Sequence, residues 1–240
     1  MGSLHGGAVA ALAVTLLEQE HTEPGWRAAH LSTQLLRPVT RDGPLAADVR
    51  LVRAGRRTRL VEVDVTAAGT LVSRTSLLRI RQIDGIVGVD DPQVPADDPP
   101  ADDPEGMTRT APFSIVGENF MSTAMDIRTQ EGVFGRNLAW FRLRAEVVPG
   151  GPPSPVARAA AAAEFGNGLS SPAHVGWPPR ITFVNADLQL SLRRDPGGPW
   201  VRMESAQHWQ PDATGVAESR LWDHRGRIGS ARQHLVLSAT

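Results

Sequence analysis

The sequence predicts an α+β fold made of two similar halves. Each half is a helix followed by a run of antiparallel strands, and the halves close into one pseudo-dimeric domain. Three observations predict it. Val61-Glu62-Val63-Asp64-Val65 alternates apolar and polar residues with the period-two signature of a half-buried strand. Two stretches rich in small residues, GGAVAALAVTLLE and PVARAAAAAE, each read as a helix ahead of a run of strands. The strand runs can also be laid over each other. LLRPVTRDGPLAADV lies over LSLRRDPGGPWVRME, and AAGTLVSRTSLLRI over DHRGRIGSARQHLVL, with glycine in the matching turns. This is a weak internal repeat of a unit that cannot cover both faces of its own sheet.

The elements follow in order. A first helix runs from about Gly7 to Glu18. HLSTQLLRPVT, GPLAADVRLVRAG, RRTRLVEVDVTAAG and TLVSRTSLLRIRQ come next as strands, with Gly43, Gly55 and Gly69 between them where hairpin turns belong. Val89 to Gly106 (VDDPQVPADDPPADDPEG) is dominated by proline and aspartate and reads as an exposed, semi-extended linker. It separates an N-terminal repeat, residues 1–88, from a C-terminal repeat, residues 107–240. In the second repeat FSIVGENFMSTAMDIRTQEG and LAWFRLRAEVV read as strands. SPVARAAAAAEFGNG reads as a helix started by Ser154-Pro155 and stopped by Gly166 or Gly168. ITFVNADLQLSLRRD, GPWVRMESAQHW, ATGVAESRLWDHRG and RIGSARQHLVLSA complete the strands.

Composition removes several kinds of chemistry. The 240 residues carry a formal net charge of −1, which calls for neither nucleic acid nor a membrane surface. There is no cysteine, hence no disulfide, thiolate metal site or cysteine nucleophile. All 25 residues counted as Lys or Arg are Arg, so no lysine is present for a Schiff base, and no tyrosine for a phenolic acid. The apolar run after His5 has about the length of a signal-peptide core. No basic region precedes it, however, and Gly6-Gly7 interrupts its start. No stretch of about 18 apolar residues marks a membrane span. The expectation is a cytoplasmic protein. There is no Gly-rich phosphate loop with Lys, no G-x-S-x-G elbow and no H-E-x-x-H pair.

SLHGGAVAAL and LLRPVTRDGPLAADVRLVRAGRRTRLVEVDV in the first half carry a family resemblance. In the second half it is carried by AEFGNGLSS, TFVNADLQLSLRRDPGGPWV and GRIGSARQHLVL. Together they resemble the double hot-dog proteins, specifically the type II acyl-CoA thioesterases and the actinobacterial thioesterase-like proteins. The resemblance spans nearly the whole chain outside the linker. It implies hydrolysis of an acyl-CoA or related acyl thioester, no cofactor, no metal, and a fold that often associates into a homo-oligomer. The family has a strand before the HGG segment. The chain begins almost on that segment, so either the start lies upstream or the first half lacks an edge strand.

Thioester hydrolysis needs a polarised carbonyl, an activated water and a held acyl chain. His5-Gly6-Gly7 opens the first helix, and its two glycines can leave backbone N–H groups open to a ligand. The alternative is tight packing of helix on sheet, with His5 structural or a hydrogen-bond donor. Many single hot-dog thioesterases carry a carboxylate on the first helix. Here AALAVTLL has none, and Glu18 comes near the helix end. In the second half the resemblance matches Glu164 to the family's Asp, Asn185 to its hydroxyl residue and Gln233 to its Gln. It makes Glu164 the base and implies one site per chain. Two of these positions depart from the pattern, since Glu replaces Asp and Asn cannot donate as a hydroxyl does. Glu164 also reads as a helix-end carboxylate paired with an arginine, which would leave a non-catalytic acyl-CoA or lipid-binding protein, or an assembly role. Asn167 reads as a substrate contact or as the holder of a turn at positive φ. Arg56 and Arg57 read as contacts to CoA phosphates or as a solvated hairpin end. Asp187 reads as a partner for an Arg or a backbone cap.

Overall fold

The computed structural model describes residues 3–40, 43–83, 100–109, 119–129, 137–171 and 181–239. The first half holds α1 (Gly6–His21), β1 (Trp26–Leu35), β2 (Leu45–Ala54), β3 (Thr58–Ala67) and β4 (Thr70–Arg81). The second holds β5 (Thr108–Arg109), α2 (Phe120–Thr123), β6 (Met125–Thr129), β7 (Leu138–Leu143), α3 (Pro155–Ala163) and α4 (Gly166–Leu169). It continues with β8 (Ile181–Asn185), β9 (Asp187–Leu192), β10 (Val201–Trp209), β11 (Thr214–Asp223) and β12 (Gly226–Ala239). Among the described residues the strands form one sheet in the order β2-β3-β4-β1-β9-β12-β11-β10-β7-β6-β5, with β8 on β12. The two halves join through β1 and β9, antiparallel from His30 opposite Ser191 to Gln34 opposite Asp187. This is the double hot-dog arrangement, two sheets continuous edge to edge over a shared helical layer.

The helices form for local reasons and pack through small residues. Ser154 caps α3 by accepting from the Ala157 N–H at 3.0 Å, with Pro155 at the first helical position. Ala159 to Ala163 are all fully buried. Alanine keeps α3 thin, and α1 can therefore cross it closely. A Cβ on Gly7 would sit 2.9 Å from the Ala161 carbonyl oxygen. Val9, Ala10, Ala13, Val14 and Leu17 of α1 share one core with Val61, Val63 and Val65 of β3 and with Leu188 and Leu190 of β9.

Three readings of the sequence are corrected. The start of FSIVGENFMSTAMDIRTQEG lies outside the described residues, but its middle is a helical turn, not a strand. Asn119 and Ser122 exchange a capping box around α2 before β6 begins. The linker from 89 to 99 also lies outside the described residues, while its end is docked and not extended into solvent. Pro104 is buried. Asp102 accepts from Trp140 Nε1 at 2.7 Å and from Arg202 Nε at 3.0 Å, and Glu105 accepts from Trp200 Nε1 at 2.9 Å. Finally, α3 is not stopped by a glycine. It ends at Ala163 with Glu164 as its C-cap in ordinary right-handed backbone, φ −69 and ψ −10.

The stretch ITFVNADLQLSLRRD is not one regular strand. On β12, Leu235 faces Asn185 of β8 and Arg232 faces Gln189 of β9. Gln233 and His234 therefore lie opposite three residues, Ala186, Asp187 and Leu188. This is a β-bulge, one extra residue that bends the strand and reverses which face its side chains take. Leu188, Leu190 and Leu192 point into the core. By simple alternation Asn185 would then point out of the sheet, and the bulge turns it in.

Candidate active site

Glu164 stands where α3 ends over the inner face of the second-half sheet, and it is 2% exposed. Its Oε2 accepts from Asn185 Nδ2 at 2.5 Å and from Gln233 Nε2 at 3.3 Å. The Gln233 amide is held at both ends. Its Nε2 also donates to the Glu164 backbone carbonyl at 3.3 Å, and its Oε1 accepts from the Asn167 N–H at 3.0 Å. The three residues matched by resemblance thus meet around one carboxyl group. Glu164 Oε1 is buried without a hydrogen-bond partner among the described residues.

The GNG segment is helical, as α4, and none of Gly166, Asn167 and Gly168 has a positive φ. The turn reading of Asn167 is therefore replaced. Its backbone N–H fixes the Gln233 amide, while its Oδ1 accepts from the Gly168 N–H at 2.6 Å. Gly166 is needed for closeness, not for its dihedral angle. A Cβ there would lie 2.5 Å from Ser219 Oγ and 3.0 Å from Gln233 Oε1.

The first half meets the second at Gly6. A Cβ on Gly6 would lie 2.3 Å from Glu164 Oε2, so only a glycine lets the carboxyl group rest against the start of α1. Of the two glycine N–H groups, that of Gly7 is used, since it donates to His5 Nδ1 at 3.0 Å. The Gly6 N–H has no partner among the described residues. His5 caps α1 through Nδ1 and so carries its neutral proton on Nε2. Its ring stacks on Phe165 at 4.5 Å between centroids and on Phe120 at 5.5 Å. Burial drives the His5 pKa down to about 4, so the ring is uncharged at neutral pH.

Arg56 and Arg57 are not brought to this cluster. They lie in the exposed turn between β2 and β3, where the Arg57 carbonyl accepts from the Arg81 N–H. Arg81 faces Trp26 at the start of β1, whereas Leu35 at its end touches the site beside Gly6. The strand rise puts about 30 Å between these two ends of β1. Glu18 is also distant, about 18 Å along α1 from Gly6 at the helical rise.

Burial raises the Glu164 pKa to about 8. The hydrogen bonds from Asn185 and Gln233 oppose this, and the nearby negative charge of Asp187 adds to it. Asp187 takes the backbone-cap reading, not the arginine one. Its Oδ1 accepts from the His234 backbone N–H at 2.8 Å and lies 2.9 Å from His234 Nδ1. A buried carboxyl group held by two amides, beside an open helix N–H, can take a proton from water in a place shielded from solvent.

Comparison with known proteins bears on the family and the fold. The model of the acyl-CoA thioesterase N-terminal domain matches residues 1–80, and that of the C-terminal domain matches residues 93–237. The chain belongs to the acyl-CoA thioesterase family. Solved structures show the same fold. The acyl-CoA thioesterase II TesB2 of Mycobacterium marinum is 15% identical with a TM-score of 0.69, over 100% of this chain and 92% of that one. The tesB protein of Mycobacterium avium subspecies paratuberculosis is 16% identical, with a TM-score of 0.70 and coverage of 98% and 88%. A conserved protein with the hot dog fold from Alicyclobacillus acidocaldarius is 14% identical, with a TM-score of 0.71 and coverage of 98% and 87%. No curated protein matches the chain. Within this member of the thioesterase family, sequence reasoning missed the bulge and the contact between Gly6 and Glu164. The first left a signal, since inward residues change from odd positions (Phe183, Asn185) to even ones (Leu188, Leu190). The second left none beyond the glycine itself. No helix among the described residues is long and apolar enough to cross a membrane.

Proposed function

We propose that this chain hydrolyses an acyl-CoA or a related acyl thioester, with Glu164 as the general base. The observation that carries the reading is the convergence on the Glu164 carboxyl group of Asn185, Gln233 and the first-half glycine Gly6. Asn185 and Gln233 both bind Oε2, so Oε1 is the oxygen free to face a water. The Gly6 N–H, at the positive end of α1, polarises the thioester carbonyl. Glu164 takes a proton as the water oxygen attacks the carbonyl carbon. When the tetrahedral intermediate collapses, the C–S bond breaks and the leaving thiolate recovers that proton. The products are the free acid and the thiol, and the glutamate is regenerated.

The test is release of free thiol from a panel of acyl-CoAs of increasing chain length. The chain has no cysteine, so a thiol reagent reports only released CoA. Turnover that falls on the order of 100-fold or more in Glu164→Ala supports the reading. Binding without turnover across the panel replaces it with an acyl-CoA-binding role.

A further inference from the structure

We propose that Asp187 is a positioning residue of this site: it locks the β8–β9 bulge onto β12 and so holds Asn185 against the Glu164 carboxyl group. The proposal rests on the reading of Glu164, Asn185 and Gln233 as the working set.

A bulge leaves one residue without a ladder partner and is a weak point in a sheet unless it is tied. Here three ties converge. The Ala186 N–H donates to the His234 carbonyl at 2.8 Å, and the Leu35 N–H of β1 donates to the Ala186 carbonyl at 2.8 Å. The His234 N–H has no ladder carbonyl to meet at this point and donates instead to Asp187 Oδ1 at 2.8 Å. The same carboxylate is 2.9 and 3.0 Å from His234 Nδ1 and accepts from Gln189 Nε2 at 3.3 Å. Asp187 therefore acts from the outer face of the sheet, opposite to Asn185 and Gln233. His234 follows Gln233 directly and Asp187 follows Asn185 by two residues, so this one clamp fixes both amide-bearing positions. Without it the chain can slip back to regular alternation, which turns Asn185 outward and leaves Glu164 Oε2 with Gln233 alone.

The carboxylate has a second, separable effect through its charge, which opposes ionisation of Glu164. Among the described residues the groups in contact with the Glu164 carboxyl group are Gly6 from α1, Asn185 from β8 and Gln233 from β12, and none of these is charged. Those facing Asp187 are His234 from β12, Gln189 on its own strand and Gln34 opposite it on β1.

Two substitutions separate clamp from charge. Asp187→Asn keeps an oxygen for the His234 N–H and removes the charge. Its expected kcat stays within about threefold of the parent, while the rising limb of the pH–rate profile moves to lower pH. Asp187→Ala removes the clamp. Its expected kcat falls at least about tenfold with KM little changed, in a chain whose circular dichroism remains native. Parental kcat in Asp187→Ala, or equal damage in both variants with no movement of the pH limb, overturns the proposal. Amide NMR of the resting protein gives a reading that needs no turnover. The Asn185 side-chain NH2 signal should be shifted and slow to exchange in the parent and in Asp187→Asn, and lose both properties in Asp187→Ala. If the three proteins show this pattern but the parent shows no hydrolysis, the proposed function fails and the clamp stands. If the signal is unchanged in Asp187→Ala, the clamp fails whatever the activity.

Discussion

The Gly6 α-carbon lies against the Glu164 carboxyl group, so close that a methyl group there would stand 2.3 Å from Oε2. The contact is between halves, since Gly6 starts the first-half helix and Glu164 ends a helix of the second. A methyl group on Gly6 would also stand 3.3 Å from Leu35 Cδ1, so Gly6→Ala crowds two side chains at once. The carboxyl group has to move off Asn185 or the helix start has to lift. Either change is expected to lower kcat/KM by at least about tenfold, since misplacement on this scale is costly at a reacting centre. Steady-state kinetics of Gly6→Ala beside Gly151→Ala, a glycine with open space around it and no positive φ, check the prediction.

Much of this fold could be read from the chain because its signals are local. Alternation at Val61 to Val65, the Ser154-Pro155 helix start and the alanine run after it each fix an element without long-range information. The site was legible only in part. The three residues around the carboxyl group were picked by family likeness, and no spacing in the sequence brings Glu164, Asn185 and Gln233 together. Their meeting depends on the bulge at Ala186 and on β8 and β9 sharing β12, both long-range facts. The misreading of Asn167 has a simple cause. An Asn between two glycines suits a positive φ, but the crowding of Gly166 by Ser219 and Gln233 gives that glycine another reason to be there.

A base must be ionised to act, and burial holds the Glu164 pKa near 8. Activity should therefore rise with pH through about 8 and level off above it, with kcat/KM increasing about tenfold per pH unit on the rising limb. Glu164→Gln should remove the limb together with most of the rate. A flat profile between pH 6 and 9 in the parent would take Glu164 out of the proton transfer.

The same group ties stability to pH. In the unfolded chain Glu164 ionises near 4.5, and in the folded chain near 8. Below the first value both states hold the proton. Between the two values the unfolded state gives it up and the folded state keeps it, so stability falls as pH rises; above about 8 the loss is complete. The parent should therefore lose stability between pH 5 and 9 relative to Glu164→Gln, by on the order of a few kcal/mol. Urea unfolding of both proteins at pH 5, 7 and 9 gives the comparison.

The amide of Gln233 works in two directions, and a one-atom change separates them. Its Oε1 takes the Asn167 N–H and its Nε2 donates to Glu164. Gln233→Glu keeps an acceptor for Asn167, so α4 should stay in place. It exchanges the donor for an oxygen, which puts a second carboxyl group within reach of Glu164 Oε2. Two carboxyl groups at that distance cannot both ionise easily, and they titrate as a pair with one step displaced upward. The variant should thus remain folded, lose activity at pH 7, and recover part of it only above the parent's limb. Gln233→Ala differs, because it loosens the Asn167 contact and leaves the limb at lower pH than Gln233→Glu does. Rate profiles of the two variants to pH 10 discriminate. If they coincide, Gln233 acts only through packing and not through its hydrogen bond to Glu164.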